Sequence, residues 1–142
     1  MSTLHERLLA LERRANVVTD CVRLIEEELD RKTGLSGLAI KGAYALVRRI
    51  KPGIIREAAD RLLDPFVERL EPLAANAADA PEAYLRDHAN EVAEALLGVT
   101  DARAASTDNA TLRKAYGKVR PTALLHVTQA VPAIVRLLAK YP

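Results

Sequence analysis

Lys41, Tyr44 and Arg48 stand three and four residues apart, and Arg113, Tyr116 and Arg120 repeat that spacing. On a helix such spacing brings three side chains onto one face. Arg can grip an oxyanion through parallel N–H bonds, and Tyr adds a hydroxyl and a ring. The chemistry on offer is recognition of an anionic group: a phosphate, a carboxylate or an acidic partner. These six residues form the candidate ligand-binding set.

No catalytic set accompanies them. Asp87-His88 with Glu91 and Glu94 gathers carboxylates around one His, but a di-metal bundle needs Glu-x-x-His on two helices and further inward Glu residues. A solvated face with a half-buried His88 is the plainer reading. His5 lies near the start of the chain, and His126, between Leu125 and Val127, reads as a packed or boundary residue. Cys21 follows Asp20 in an apolar stripe, where a thiol acts as a small hydrophobe. Ser-His-Asp orderings, Gly-rich phosphate loops, Cys-x-x-Cys pairs and nucleotide fingerprints are absent from the sequence. The expectation is a non-enzymatic protein with no metal and no cofactor.

The elements that must position these residues are helical. Ser36 to Gly53 reads as a helix over 36–51, with Ser36 as N-cap and Pro52-Gly53 as the stop. Ala39, Ala43, Leu46, Val47 and Ile50 share one side of it, and Lys41, Tyr44, Arg48 and Lys51 the other. Upstream, Thr3 and Glu6 form a capping box that opens a long helix to about Lys32. Leu4, Leu8, Leu11, Ala15, Val18, Val22, Ile25 and Leu29 make an a/d seam along it, widened by Val17, Cys21 and Leu24. The seam could serve a homodimer, but the short helices downstream can cover it, so internal packing is favoured. Gly34 supplies the left-handed turn at its end.

Downstream, prolines punctuate. A helix over 54–63 restarts at Asp64-Pro65 and ends at Glu71-Pro72. Residues 73–80 form an Ala-rich connector. Another helix begins at Pro81, with Asp79 as the nearby capping side chain, and stops at Gly98. After a short turn at 100–105 come helices 110–119 and 121–140, the last bent at Pro132. The repeated basic-Tyr-basic pattern, at an offset of 72, suggests an internal duplication pairing residues 36–72 with 108–142, or two related three-helix halves.

Charge is segregated. The formal net charge is only +2. Yet residues 37–56 and 109–142 hold eleven of the 21 basic residues and none of the nineteen acidic ones, leaving −9 on the rest. Either acidic helices lie beside the basic ones and pair with them, or the basic segments meet and form a positive face. An isoelectric point near 8.8 and the many acids make nucleic acid a minor alternative. Peripheral membrane contact through helix 36–51 is another alternative, although the helix's Ala/Gly-rich side lacks the Trp and Phe anchors common at membrane interfaces.

At 142 residues, with 49% hydrophobic and 28% charged residues, one folded domain over 1–142 is the default. Aromatics at 4% leave the core to Leu, Ile, Val and Ala. The sequence thus predicts an all-α, single-domain bundle of six to seven helices. A lone cysteine, no visible secretory signal and no apolar run near ~20 residues point to the cytoplasm, with no transmembrane segment.

The segments GLSGLAIKGAYALVRRIKPG (34–53), LLDPFVERLEP (62–72), EVAEALLGVTDARA (91–104) and TLRKAYGKVRP (111–121) resemble a family of short bacterial proteins, with VVTDCV (17–22) of the same character. That family, found mainly in actinobacteria, is catalogued only as a domain of unknown function. The resemblance covers nearly the whole chain. It implies a self-contained helical domain and carries over no reaction, ligand or site residue.

Overall fold

A computed structural model describes residues 3–77 and 80–142. It contains seven helices among those residues: α1 (Leu4–Leu8), α2 (Leu11–Arg31), α3 (Gly34–Arg48), α4 (Ile54–Ala75), α5 (Pro81–Asp87), α6 (Ala89–Ser106) and α7 (Ala110–Ala139). The all-α bundle is as the composition and periodicity require. α7 packs chiefly along α6, and α4 lies against α6, α1, α2 and α5. Val17, Leu63, Val67, Leu85, Val92 and Val131 are among the core residues, which are aliphatic throughout.

The long first helix is broken. Thr3 and Glu6 form the capping box, with Glu6 N donating to Thr3 Oγ1 at 3.1 Å. Leu9 and Ala10 then interrupt the helix before α2. The reason is Arg7, which is buried and needs partners. Its Nη2 donates to Glu82 Oε1 (2.6 Å) and Leu138 O (2.8 Å), and its Nε to Tyr141 O (2.8 Å). Glu71 Oε1 meanwhile accepts from the His5 N–H at 2.8 Å, satisfying an orphan donor of the first turn. These tertiary bonds hold α1 at its own angle. The a/d seam loses its register there: Leu4, Leu8 and Val18 are buried, whereas Leu11 is 91% exposed and Ala15 is also in solvent.

The prolines do not divide the helices. α4 runs unbroken through Pro65 and Pro72, and α7 through Pro121 and Pro132. An interior proline costs about 3 kcal/mol. Against that, each fully buried Val or Leu is worth about 1.5–3 kcal/mol, and Leu63, Val67 and Leu70, like Val131, Val135 and Leu138, keep one continuous face in the core. Pro72, Pro121 and Pro132 are exposed, so their rings displace no packing. Asp64 is therefore no cap. Its carboxylate instead takes Arg14 of α2 at 3.0 Å, beside Asp60 at 2.9 Å.

Other boundaries move for local reasons. α3 starts at Gly34, whose φ is +74°, with Thr33 before it, so Ser36 is interior rather than the N-cap. Gly37 lets this turn close: a Cβ there would lie 2.9 Å from the Lys32 carbonyl carbon. α6 passes through Gly98, where a Cβ would meet Arg69 Nη1 of α4 at 2.9 Å. The break comes at His88, whose ring stacks on Tyr84 at 3.9 Å and whose Nδ1 donates to Tyr84 O at 2.8 Å. Asp79, the expected capping side chain before Pro81, lies outside the described residues.

The segments paired as a duplication have different backbones. Residues 36–72 bend between α3 and α4, where Gly53 has φ +76°, while 108–142 are dominated by one continuous helix. α7 is also long and apolar enough, by length and composition, to cross a membrane, with a mean hydropathy of 1.4 over its most apolar stretch. That stretch lies after Pro121, within the helix expected over 121–140, and it corrects the expectation that no apolar run is long enough to span a bilayer. Here Ala130, Val131, Val135, Leu137 and Leu138 of α7 are packed into the core.

Candidate functional site

The two acid-free segments meet. The C-terminal half of α3 and the start of α4 form one wall of a groove of about 630 Å³; the end of α6 and the start of α7 form the other. Ala43 and Val47 face Leu112, Ala115 and Val119, with Ala58 and Leu62 below and Leu46 at the side. Their spacing explains the arrangement. Residues 43, 47 and 112, 115, 119 recur at steps of three and four, so each helix presents an aliphatic stripe to the other. What converges is therefore the apolar side of each basic segment.

Cations ring this groove. Lys51, Arg61 and Arg103 line it, with Glu57 the one carboxylate beside them. Glu57 is shared, holding Lys51 at 2.9 Å and Arg61 at 2.7 Å. Both bonds hold its carboxyl below the ordinary value, the Lys51 contact most of all. Among the described residues no carboxylate pairs with Arg103, which is exposed. Two paired cations on one anion, plus a third unpaired, leave the mouth of the groove positive.

The six candidate residues separate. Tyr116 alone lines the groove, and its hydroxyl is committed to Asp101 and to Thr100 at 2.7 Å. Burial and then the Asp101 charge push its ionisation above the ordinary value. Arg120 clasps Asp101 with Nε at 2.8 Å and Nη2 at 3.0 Å, and reaches Glu94 at 3.3 Å. Asp101 is held below its usual range, first by Arg120 and then by Tyr116. Tyr116 and Arg120 are thus an internal clamp between α6 and α7, not a free anion grip. Arg113 donates to Thr107 O at 2.9 Å and steadies the turn before α7.

The first triplet lies elsewhere. Tyr44 is half-buried, and burial with the nearby Glu26 charge of α2 keeps its hydroxyl protonated. Arg48 sits over its ring at 6.0 Å, and both Arg48 and Lys41 are exposed. The equal spacing puts each triplet on one helix face, but the neighbouring helix decides what that face meets. For α7 it is α6, whose Glu94 and Asp101 are seven residues apart and so aligned. That alignment was the available signal for the clamp. The groove itself went unread because its lining is plain aliphatic.

A comparison with known families places the whole arrangement. The family's sequence profile spans residues 4–142, so every helix and the groove fall inside it. The chain belongs to DUF6918, a family of unknown function. No curated protein and no solved structure matches it. In this DUF6918 chain, then, the groove between α3–α4 and α6–α7 stands as the candidate site on its geometry alone. Its volume lies within the range of about 300–1,000 Å³ usual for small-molecule sites. Titratable groups elsewhere are structural. Burial, with Asp20 adjacent, pushes the Cys21 thiol up to about 11. Asp20 itself takes bonds from Lys140 (2.9 Å) and Tyr141, which outweigh its burial and hold it low.

Proposed function

We propose that this protein is a non-catalytic binding module that holds an anionic amphiphile. The apolar body lies along Ala43, Val47, Leu112, Ala115 and Val119, and the anionic group meets Arg103, Lys51 and Arg61 at the mouth. One observation carries the reading: the two acid-free segments meet across a groove that is aliphatic inside and cationic at its rim. Anion recognition is kept from the sequence, but its residues change. Tyr116 and Arg120 drop out because Asp101 occupies them; Lys41, Arg48 and Arg113 lie outside the groove lining. Self-association through the first helix has less support, because Leu4, Leu8 and Val18 of its seam are spent inside the bundle.

The test compares decanoate and decyl phosphate with uncharged decanol by calorimetry at low and high salt. Binding of both anions, weakened by salt and stronger than decanol by about tenfold, supports the proposal. Arg103→Ala should weaken it about fivefold, and Ala115→Trp, which fills the groove, should abolish it. Equal binding of decanol, or anion binding untouched by Ala115→Trp, would remove it.

A further inference from the structure

α3 has a second face, which adjoins the groove only at Leu46. Because the helix begins at Gly34, two residues before Ser36, Leu35 joins Leu38 on it. They are 87% and 66% exposed. Ala39 and Gly42 are also exposed, Leu46 is 41% exposed, and Ile50 just past the helix end is 49% exposed. Leu35, Leu38, Gly42 and Leu46 follow steps of three, four and four, so they form one stripe along the helix. A Cβ added at Gly42 would meet nothing within 4 Å, so the stripe looks outward. Large apolar residues this exposed and this aligned mark a surface that meets something.

Charge selects the partner. No acid occurs from Arg31 to Arg56; exposed Arg49 falls in line with the stripe, and exposed Lys41 and Arg48 flank it on the side away from the groove. A second copy docking through the same face would set these cations against themselves, with no carboxylate on either helix to answer them. An anionic lipid surface answers both features, with headgroups for the cations and the acyl boundary for the leucines. We infer that the outer face of α3 docks this protein on anionic membranes. Leu35 and Leu38, near the start of the helix, take the role that the missing Trp and Phe would have had. This docking does not depend on the groove being occupied.

The experiment is co-sedimentation of the full chain with vesicles of phosphatidylcholine alone and of equal parts phosphatidylcholine and phosphatidylglycerol. Binding should appear with the anionic vesicles, fall with added salt and be weak with the neutral ones. Each basic residue near the surface is worth about fivefold, so Arg48→Gln with Arg49→Gln should cost about 25-fold. Leu35→Gln with Leu38→Gln should cost at least about tenfold without changing the melting temperature, because both side chains are already in solvent. Gly42→Trp should tighten binding. Ala115→Trp should leave it unchanged, which separates this surface from the groove. Failure to bind anionic vesicles would overturn the inference, as would binding that ignores the leucine and arginine pairs. A concentration-dependent dimer dissolved by Leu38→Gln would also overturn it, by naming a second copy as the occupant.

Discussion

Asp101 decides what the second basic-Tyr-basic triplet does. One carboxylate takes two bonds from Arg120 and one from Tyr116, and so ties α7 to α6. Its side chain is 42% exposed, so the clamp contributes about 1 kcal/mol, not the larger value of a buried pair. Asp101→Asn should lower stability by about that amount in urea unfolding at neutral pH. The folded carboxyl ionises below its ordinary 3.8, so this contribution is present above that value and is lost as pH falls through the folded one. His126 sets a different window. It is buried, and its ring nitrogens have no well-formed hydrogen bond among the described residues. Burial followed by the Lys32 charge outweighs weaker contacts with Ser36 and Gln129 and holds it below 6.5. The unfolded chain takes up that proton first, so stability should decline as pH drops below about 6.5 and level off once the folded imidazole also protonates. His126→Leu should remove that early decline and raise the melting temperature, while the step below 3.8 remains. At this scale the spacing of charged residues was readable and their direction was not. Tyr44 and Tyr116 occupy matching positions, yet one faces Glu26 and the other Asp101, because different helices cover them.

Helix type was legible along nearly the whole chain; helix ends were not. Local signals for a stop are overruled at Pro65 and Gly98 by buried residues on both sides of them; at Pro72 and Pro121 the helix also continues, although its buried residues lie on one side only. The break at Leu9-Ala10 lies beside Arg7, whose partners Glu82, Leu138 and Tyr141 are far along the chain and leave no mark in periodicity. The break at His88 is local, with the ring stacked on Tyr84 four residues back. Arg7 therefore gives the element-scale prediction. Arg7→Ala leaves the Leu138 and Tyr141 carbonyls and Glu82 without their donor, at a cost of about 3 kcal/mol. Hydrogen exchange should show α1 and α5 released before the α6–α7 pair.

Over the whole molecule, the uneven distribution of charge was the sequence's best clue, and the fold gives it two uses. Some of it is answered internally, as the clamp on Arg120 and the Arg14 bridge to Asp60 and Asp64 show. The rest surrounds an aliphatic groove and an outward leucine stripe on adjoining faces of α3, which meet at Leu46, so one helix borders both proposed surfaces. Neither could be foreseen from the basic residues alone. Both depend on which way a short, Ala-rich helix is rolled, and Gly37 against Lys32 fixes that roll.

The seat of α1 is made at the other end of the sequence. Arg7 is held by carbonyls of residues 138 and 141, Arg13 donates to the Pro142 carbonyl at 3.0 Å, and Tyr141 reaches Asp20. During synthesis on the ribosome, α1 emerges 131 and 134 residues ahead of the carbonyls that hold Arg7, and it must wait for them before it has anywhere to settle. Folding here cannot simply follow translation in order. α1 stays available to chaperones until residues 138–142 clear the exit tunnel.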